Sequence, residues 1–396
     1  MIYNVAFFSK HFCERGTDKT TFDYADYNEK ILGNKSYIVC FNESIIRKYG
    51  FASTKEFVKN KYLDRFELLE INNISEIRKI LKEKEITHFY VQSHGFHIDI
   101  FKFNNHDIWQ DCKTIYHCAF GPMVRQGSTL RCVVGSYLNK RFRKNLPVLP
   151  PIVRPYENIG NFRNQLKIPQ DALVIGRHGG NETFDINFVK EAIKKVLKAN
   201  NSIYFLFLNT KQFINNDRVI YLDPVNDEGL ALFIGTCDAM IHGRLDGETF
   251  GLAPAEFSAA NKPVITYLKS KDKEHLRILK DKAITYKDED ELIKIFMNLK
   301  NILESTSSWN AYQDFEPANI MSIFAKICLS ERQQSIYDKS LVFLSDLPWE
   351  VKVFIERIIN FYYLLLLKSI PRSVKDKVKL RLKSLRNYSL FDQIKH

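Results

Sequence analysis

The sequence predicts an α/β protein of two doubly wound domains, 1–150 and 151–330, facing a common cleft and followed by a basic helical tail, 331–396. Three observations carry this expectation. At 396 residues the chain is too long for one ordinary core. Short apolar runs alternate with helical patterns through the first half, which is the grammar of a parallel sheet. A proline-rich segment, Pro147-Val-Leu-Pro-Pro-Ile-Val-Arg-Pro155, then breaks the alternation as a linker, and the same grammar restarts after it.

In order, the first half reads as a strand over Ile2–Phe8, a turn at Arg15-Gly16 and a helix from about Thr21 to Leu32. A strand over Ser36–Phe41, a helix over Ser75–Lys84 and strands over His88–Gln92 and Lys113–His117 follow. The second half reads as a strand over Ala172–Gly176, a helix over Ile186–Lys198, and strands over Ile203–Leu208 and Val219–Leu222. It continues with a helix over Glu228–Thr236, a strand over Ala239–His242, a helix over Leu252–Ala260 and a strand over Pro263–Tyr267. Ligands of such sheets bind beyond the carboxyl ends of the strands. The loops Ser9–Lys19, Gln92–His97, His117–Gly121, Arg177–Glu182 and Gly243–Gly251 are therefore expected to converge.

Composition narrows the class. A hydrophobic content of 45% excludes a disordered chain. The net charge of +12 favours an anionic partner, whether nucleic acid, an anionic membrane surface or a phosphate-bearing small molecule, without choosing among them. Seven scattered cysteines with no CxxC pair argue against a zinc site or a disulfide framework and for a reducing compartment. The opening strand is too short for a signal-peptide core and lacks a basic leader, so the expected compartment is the cytosol.

The strongest local signal is Gly243-Arg-Leu-Asp-Gly-Glu-Thr-Phe-Gly-Leu-Ala-Pro-Ala-Glu256, a glycine-rich loop leading from a strand directly into a helix. The amides of Gly251 and Leu252 and the positive end of that helix suit phosphate or sugar oxygens. Glu248 and Glu256 suit paired sugar or ribose hydroxyls. With Phe250 between them, these residues resemble the signature of the retaining GT-B glycosyltransferases of family 4, a Glu, seven residues, then Glu, with a Phe-Gly-Leu-like core. Ala259-Ala-Asn-Lys-Pro-Val264 stands where that family has a small-residue helix end and Pro-Val. The resemblance implies two Rossmann-like domains, with Glu248 on the donor sugar, Glu256 on the ribose and the amides near Gly251 on the sugar or diphosphate.

Further residues follow from the same resemblance. In Val174-Ile-Gly-Arg-His-Gly-Gly180, Arg177 takes the place of the arginine that neutralises the donor diphosphate. The family often adds a lysine about five residues later, where this chain has Glu182. Arg244, Lys262 or the amides of the Gly179-Gly180 turn are the candidate substitutes, with a surface salt bridge the alternative for Arg244. Gly16, beside Arg15, matches by position a glycine that approaches the donor phosphate across the cleft. His117 resembles the family's histidine near sugar and acceptor, and His94 ends the preceding strand. No base is required in a retaining transfer, because the β-phosphate oxygen can take the acceptor proton. No Asp-x-Asp motif stands at the end of any strand read above, so neither metal nor other cofactor is expected.

The expected partners are a nucleotide-sugar donor and a glycan or lipid-linked acceptor. In the tail, an apolar run ending at Leu367 is too short to span a bilayer. Residues 374–386 form a basic amphipathic pattern, read as a membrane-surface helix or as one packed on the protein or a partner. On the first of these readings an anionic membrane is the partner of 350–390. A nucleic-acid-binding protein is the rival from another class, though no nucleic-acid motif appears. An inverting enzyme or a sugar-nucleotide epimerase on the same scaffold is the rival within the class.

Overall fold

The computed structural model describes residues 2–48, 54–95, 101, 103, 105–109, 112–122, 128–156, 160–306 and 308–330. The tail expected to meet a membrane lies outside them, as do residues 96 and 97 of one expected site loop. The strands are β1 (Asn4–Ser9), β2 (Lys35–Phe41), β3 (Leu68–Ile71), β4 (His88–Ser93), β5 (Lys113–Cys118), β6 (Leu130–Val133) and β7 (Leu173–His178). They continue as β8 (Ile203–Leu208), β9 (Val219–Leu222), β10 (Ala239–His242), β11 (Gly247–Glu248), β12 (Val264–Tyr267), β13 (Asp272–Lys273) and β14 (Ala283–Tyr286).

Two six-stranded sheets form, in the orders β3-β2-β1-β4-β5-β6 and β14-β12-β10-β7-β8-β9. Every pairing in both is parallel. With the small β11–β13 pair set aside, the second order repeats the first, and both reverse direction beside their first strand. This is the Rossmann arrangement, twice, and the two-domain fold is GT-B. In each sheet the switch point lies between two central strands, β1 and β4 in one, β7 and β10 in the other. The central strands are covered on both faces, which is why Val5 to Phe8 and Phe205 to Phe207 read as continuous apolar runs.

The core of the first sheet gathers Val5, Phe7, Tyr24, Tyr90 and Ile115. It also takes in Ile320, Met321 and Phe324 from the helix Pro317–Phe324. The stretch expected to belong to the second domain therefore ends on the first sheet. The second core gathers Ile175, Val189, Ile193, Phe205, Phe207 and Phe296. Leu138–Leu146 fall in a separate unit, within which Asn139 bonds Leu146 through both its amide nitrogen and its oxygen, at 2.8 and 3.0 Å.

Most expected elements stand where the periodicity puts them, but the first helix runs Gly16–Lys30 and begins five residues early. Its first turn, Gly16-Thr-Asp-Lys19, holds no apolar side chain for periodicity to register, and Thr20 and Thr21 bond back to the carbonyls of Gly16 and Thr17, at 2.7 and 2.9 Å.

Candidate functional site

The loop after β1 is fastened by Asp18. Its carboxylate accepts bonds from Ser9 Oγ (3.0 Å), the Cys13 amide (3.4 Å) and Cys13 Sγ (3.1 Å), and lies 2.6 Å from His11 Nδ1. Although His11, Cys13 and Asp18 bring three metal-ligating atoms within 4.8 Å of one another, these atoms are engaged with each other. Burial and Asp18 push the Cys13 thiol up, so it stays protonated. The group acts as a lock that sets where the helix Gly16–Lys30 begins. Arg15, exposed and extended, precedes that helix as its uncapped first flank.

Across from it, Gly251 holds a left-handed backbone (φ 91°) and starts the helix Leu252–Ala259 with no side-chain cap. A β-carbon on Gly16 would lie 3.0 Å from Leu252 Cδ1, so the two helix starts, one per domain, oppose each other closely. A β-carbon on Gly251 would meet Glu248 and His275 at 3.1–3.3 Å, which is why glycine serves there.

Glu256, one turn into the helix, is buried. His178 Nε2 approaches its Oε2 to 3.1 Å, and Lys19 Nζ, from the first domain, lies 3.8 Å from Oε1. Oε1 nevertheless accepts no hydrogen bond. A carboxylate oxygen buried without a donor is costly, and it marks a place where a hydroxyl would be welcome. For Lys19, burial works against its charge, but Asp23 and Glu256 outweigh it and raise its pKa. Lys19 therefore remains a cation at this carboxylate.

Glu248 is different: its Oε1 is doubly held, by Arg244 Nη1 at 3.0 Å and His242 Nε2 at 3.2 Å. Burial alone would raise its pKa, but the His242 bond and the Arg244 charge hold it down to about 2. Arg244 thus takes the salt-bridge alternative. Its charge is spent on Glu248.

Arg177 stands one residue before the end of β7, yet its guanidinium is occupied. It donates to Gly180 O (2.8 Å), Thr183 Oγ1 (2.6 Å), Asn209 O (3.2 Å) and Thr210 Oγ1, so it braces the Gly179-Gly180 turn. Burial lowers its pKa to about 10, which still leaves it charged at neutral pH.

Three sequence candidates fall elsewhere. His117 is fully buried under Tyr24 and bonded to the Tyr90 hydroxyl at 2.6 Å, and burial lowers its pKa to about 3. A neutral imidazole inside the first core does not reach a substrate; strand-end position misled because the ring points into the sheet face rather than along the strand. Lys262 follows the helix Leu252–Ala259 and precedes β12, so it lies at the amino edge of the parallel sheet, opposite Glu248 and Gly251. Phe250 packs edge-on against Tyr312 and Phe315 and anchors the loop from below. His94, by contrast, is exposed at the carboxyl edge of the first sheet and stacks on Phe120 at 5.1 Å.

Lys19, His178 and His242 were not singled out by sequence reasoning. His178 had a signal, since it follows Arg177 and alternation along β7 turns the two to opposite faces. For Lys19 the register of the early helix start was needed.

No family model matches the chain, and no curated protein matches its sequence. Solved structures do match its fold. A glycosyltransferase from Rickettsia africae aligns with a TM-score of 0.62 at 15% identity, over 83% of this chain and 99% of that one. The Anabaena protein HepE, solved with UDP and glucose, aligns at 0.58 and 13% identity over 82% and 98%. A putative UDP-N-acetylglucosamine 2-epimerase from Listeria monocytogenes aligns at 0.55 and 10% identity over 84% and 98%. At these identities the shared property is the fold.

Proposed function

We propose that the chain is a glycosyltransferase that moves a sugar from a nucleotide-diphosphate donor to an acceptor hydroxyl, with retention of configuration. The observation that carries this reading is the buried, donor-less Oε1 of Glu256 beside the uncapped helix start at Gly251, at the carboxyl edge of the second sheet. A ribose hydroxyl supplies the missing hydrogen bond by displacing Lys19, and the amides of Gly251 and Leu252 face the diphosphate or sugar. Glu248, held ionised, accepts from the sugar. Gly16 and Arg15 close over the phosphates from the first domain, with Arg177 keeping the Gly179-Gly180 turn in shape. The leaving phosphate takes the acceptor proton, so positioning and charge carry the reaction, with no metal or other cofactor in this scheme.

The UDP of the HepE structure makes a uridine donor the first to try. A glycan or a lipid-linked molecule is the acceptor class, in the cytosol, with the basic tail at 350–390 as a contact to an anionic membrane. Thermal-shift measurements with UDP, GDP, ADP and their sugar conjugates test the donor. A ligand that stabilises the wild type and loses most of its effect in Glu256→Ala supports the reading. No shift with any of them would sink it.

A second reading is a sugar-nucleotide epimerase on the same scaffold, favoured by the Listeria neighbour. It predicts conversion of the sugar nucleotide to its epimer with no acceptor present, which NMR of the reaction mixture would reveal.

A further inference from the structure

Behind Glu248 runs a line of three buried side chains that the proposed reaction leaves without a role. His242 ends β10, Thr266 lies beside it in register on β12, and His275 belongs to the helix Glu274–Leu279. Their exposures are 5%, 0% and 0%. His275 Nε2 lies 3.0 Å from Thr266 Oγ1, Thr266 Oγ1 lies 3.0 Å from His242 Nδ1, and His242 Nε2 lies 3.2 Å from Glu248 Oε1.

The hydrogens have one satisfactory order. Glu248 is ionised and only accepts, so His242 carries a hydrogen on Nε2. Burial lowers the His275 pKa to about 3, so that ring is neutral with a single N–H. Its Nδ1 has no hydrogen-bond partner. Placing the hydrogen on Nε2 lets His275 donate to Thr266, whose hydroxyl donates to His242 Nδ1, whose Nε2–H donates to Glu248. The reverse order protonates both nitrogens of His242 and strands a buried N–H at His275. It also sets a second cation beside Arg244 on the Glu248 carboxylate.

We propose that His275, Thr266 and His242 form a directional hydrogen-bond relay that fixes the Glu248 carboxylate for the donor sugar, with His242 as its positioning residue. The proposal rests on the transferase reading. Both bonds converge on Oε1, while Oε2 makes no hydrogen bond among the described residues and is the oxygen available to substrate. Tyr286, whose hydroxyl donates to the His242 carbonyl at 3.0 Å, steadies the end of β10.

The decisive comparison is Thr266→Val with Thr266→Ser. Valine keeps the volume and loses the hydroxyl, whereas serine keeps the hydroxyl and loses a methyl. A packing role makes valine the milder change. The relay predicts that Thr266→Val lowers kcat about tenfold with the donor KM within about twofold, and that Thr266→Ser stays within about threefold of wild type. Equal kcat in the valine variant and wild type, or serine no better than valine, overturns the proposal.

Should the valine variant fail to fold, nitrogen-15 NMR of the histidine-labelled wild-type chain decides. Both His242 and His275 are expected as Nε2–H tautomers at neutral pH, and a doubly protonated or Nδ1–H His242 contradicts the relay. Correct tautomers in a wild type that turns over no sugar nucleotide would instead bring down the transferase reading, and the positioning role with it.

Discussion

At His117 the chain keeps an imidazole where water cannot reach it, and the consequence is a stability term rather than a catalytic one. His117→Leu is expected to lower stability by about 1–3 kcal/mol, through the Tyr90 hydroxyl left without its partner, while turnover stays within about twofold. Unfolding in urea and initial rates measure the two. The pH dependence follows from the same burial. His117 and His275 have folded pKa values lowered from 6.5 to about 3, so their stability is whole above pH 6.5 and is lost as pH falls from there towards 3. Each ring adds a slope of up to about 1.4 kcal/mol per pH unit in that window. Glu248 adds a loss in the same direction at lower pH, from about 4.5 down to 2. Replacing His117 should flatten the urea-midpoint profile between pH 6.5 and 5; an unchanged slope would mean that the ring is not held neutral.

Among the elements, the glycine-led helix Leu252–Ala259 joins sequence to site most directly. Gly251→Ala puts a β-carbon on a left-handed residue, at a cost of about 1–2 kcal/mol, and presses it against Glu248 and His275. Loss of donor binding out of proportion to the shift in Tm is the expected result, measured by calorimetry beside thermal unfolding. This helix and its loop were legible in the sequence because a strand, glycines and a helix start fall in order there. So were the central strands, whose apolar runs are long. The four-residue edge strands β3 and β6 are too short for periodicity to speak. The helix Glu289–Ser305 did have a start signal, since Asp288 accepts from the Glu291 amide at 3.0 Å. At the candidate site, the motif singled out Glu248 and Glu256. What the motif could not convey is which cations answer them: Arg177 and Arg244 proved tied to neighbours, and Lys19 reaches Glu256 from 237 residues away in sequence, about which local pattern is silent.

On the scale of the whole molecule, ion pairs link the domains of the two sheets. Arg154 in the linker pairs with Asp23 of the first domain and with Asp227 of the second at 3.1 Å, and Lys61 reaches Asp227 at 2.7 Å. Glu274 accepts from the amides of Ser136 and Tyr137 at 3.2 and 2.8 Å. Such contacts must part if the domains open for substrate, so they weigh on the closed arrangement. Arg154→Ala is expected to destabilise the chain by about 1–3 kcal/mol, less than a fully buried pair would cost because Lys19 still serves Asp23. It should also expand the particle in small-angle scattering.

The central claim is that Glu256 Oε1 receives a hydroxyl of the donor ribose, and a double-mutant cycle tests it most directly. Calorimetry would compare the nucleotide diphosphate that binds best with its 2′-deoxy and 3′-deoxy forms, on wild type and on Glu256→Ala. The account predicts that removing one of the two hydroxyls costs the wild type about tenfold or more in affinity, about 1.4 kcal/mol, and costs the variant almost nothing. Equal losses on both proteins would contradict it, because the hydroxyl would then be bound elsewhere.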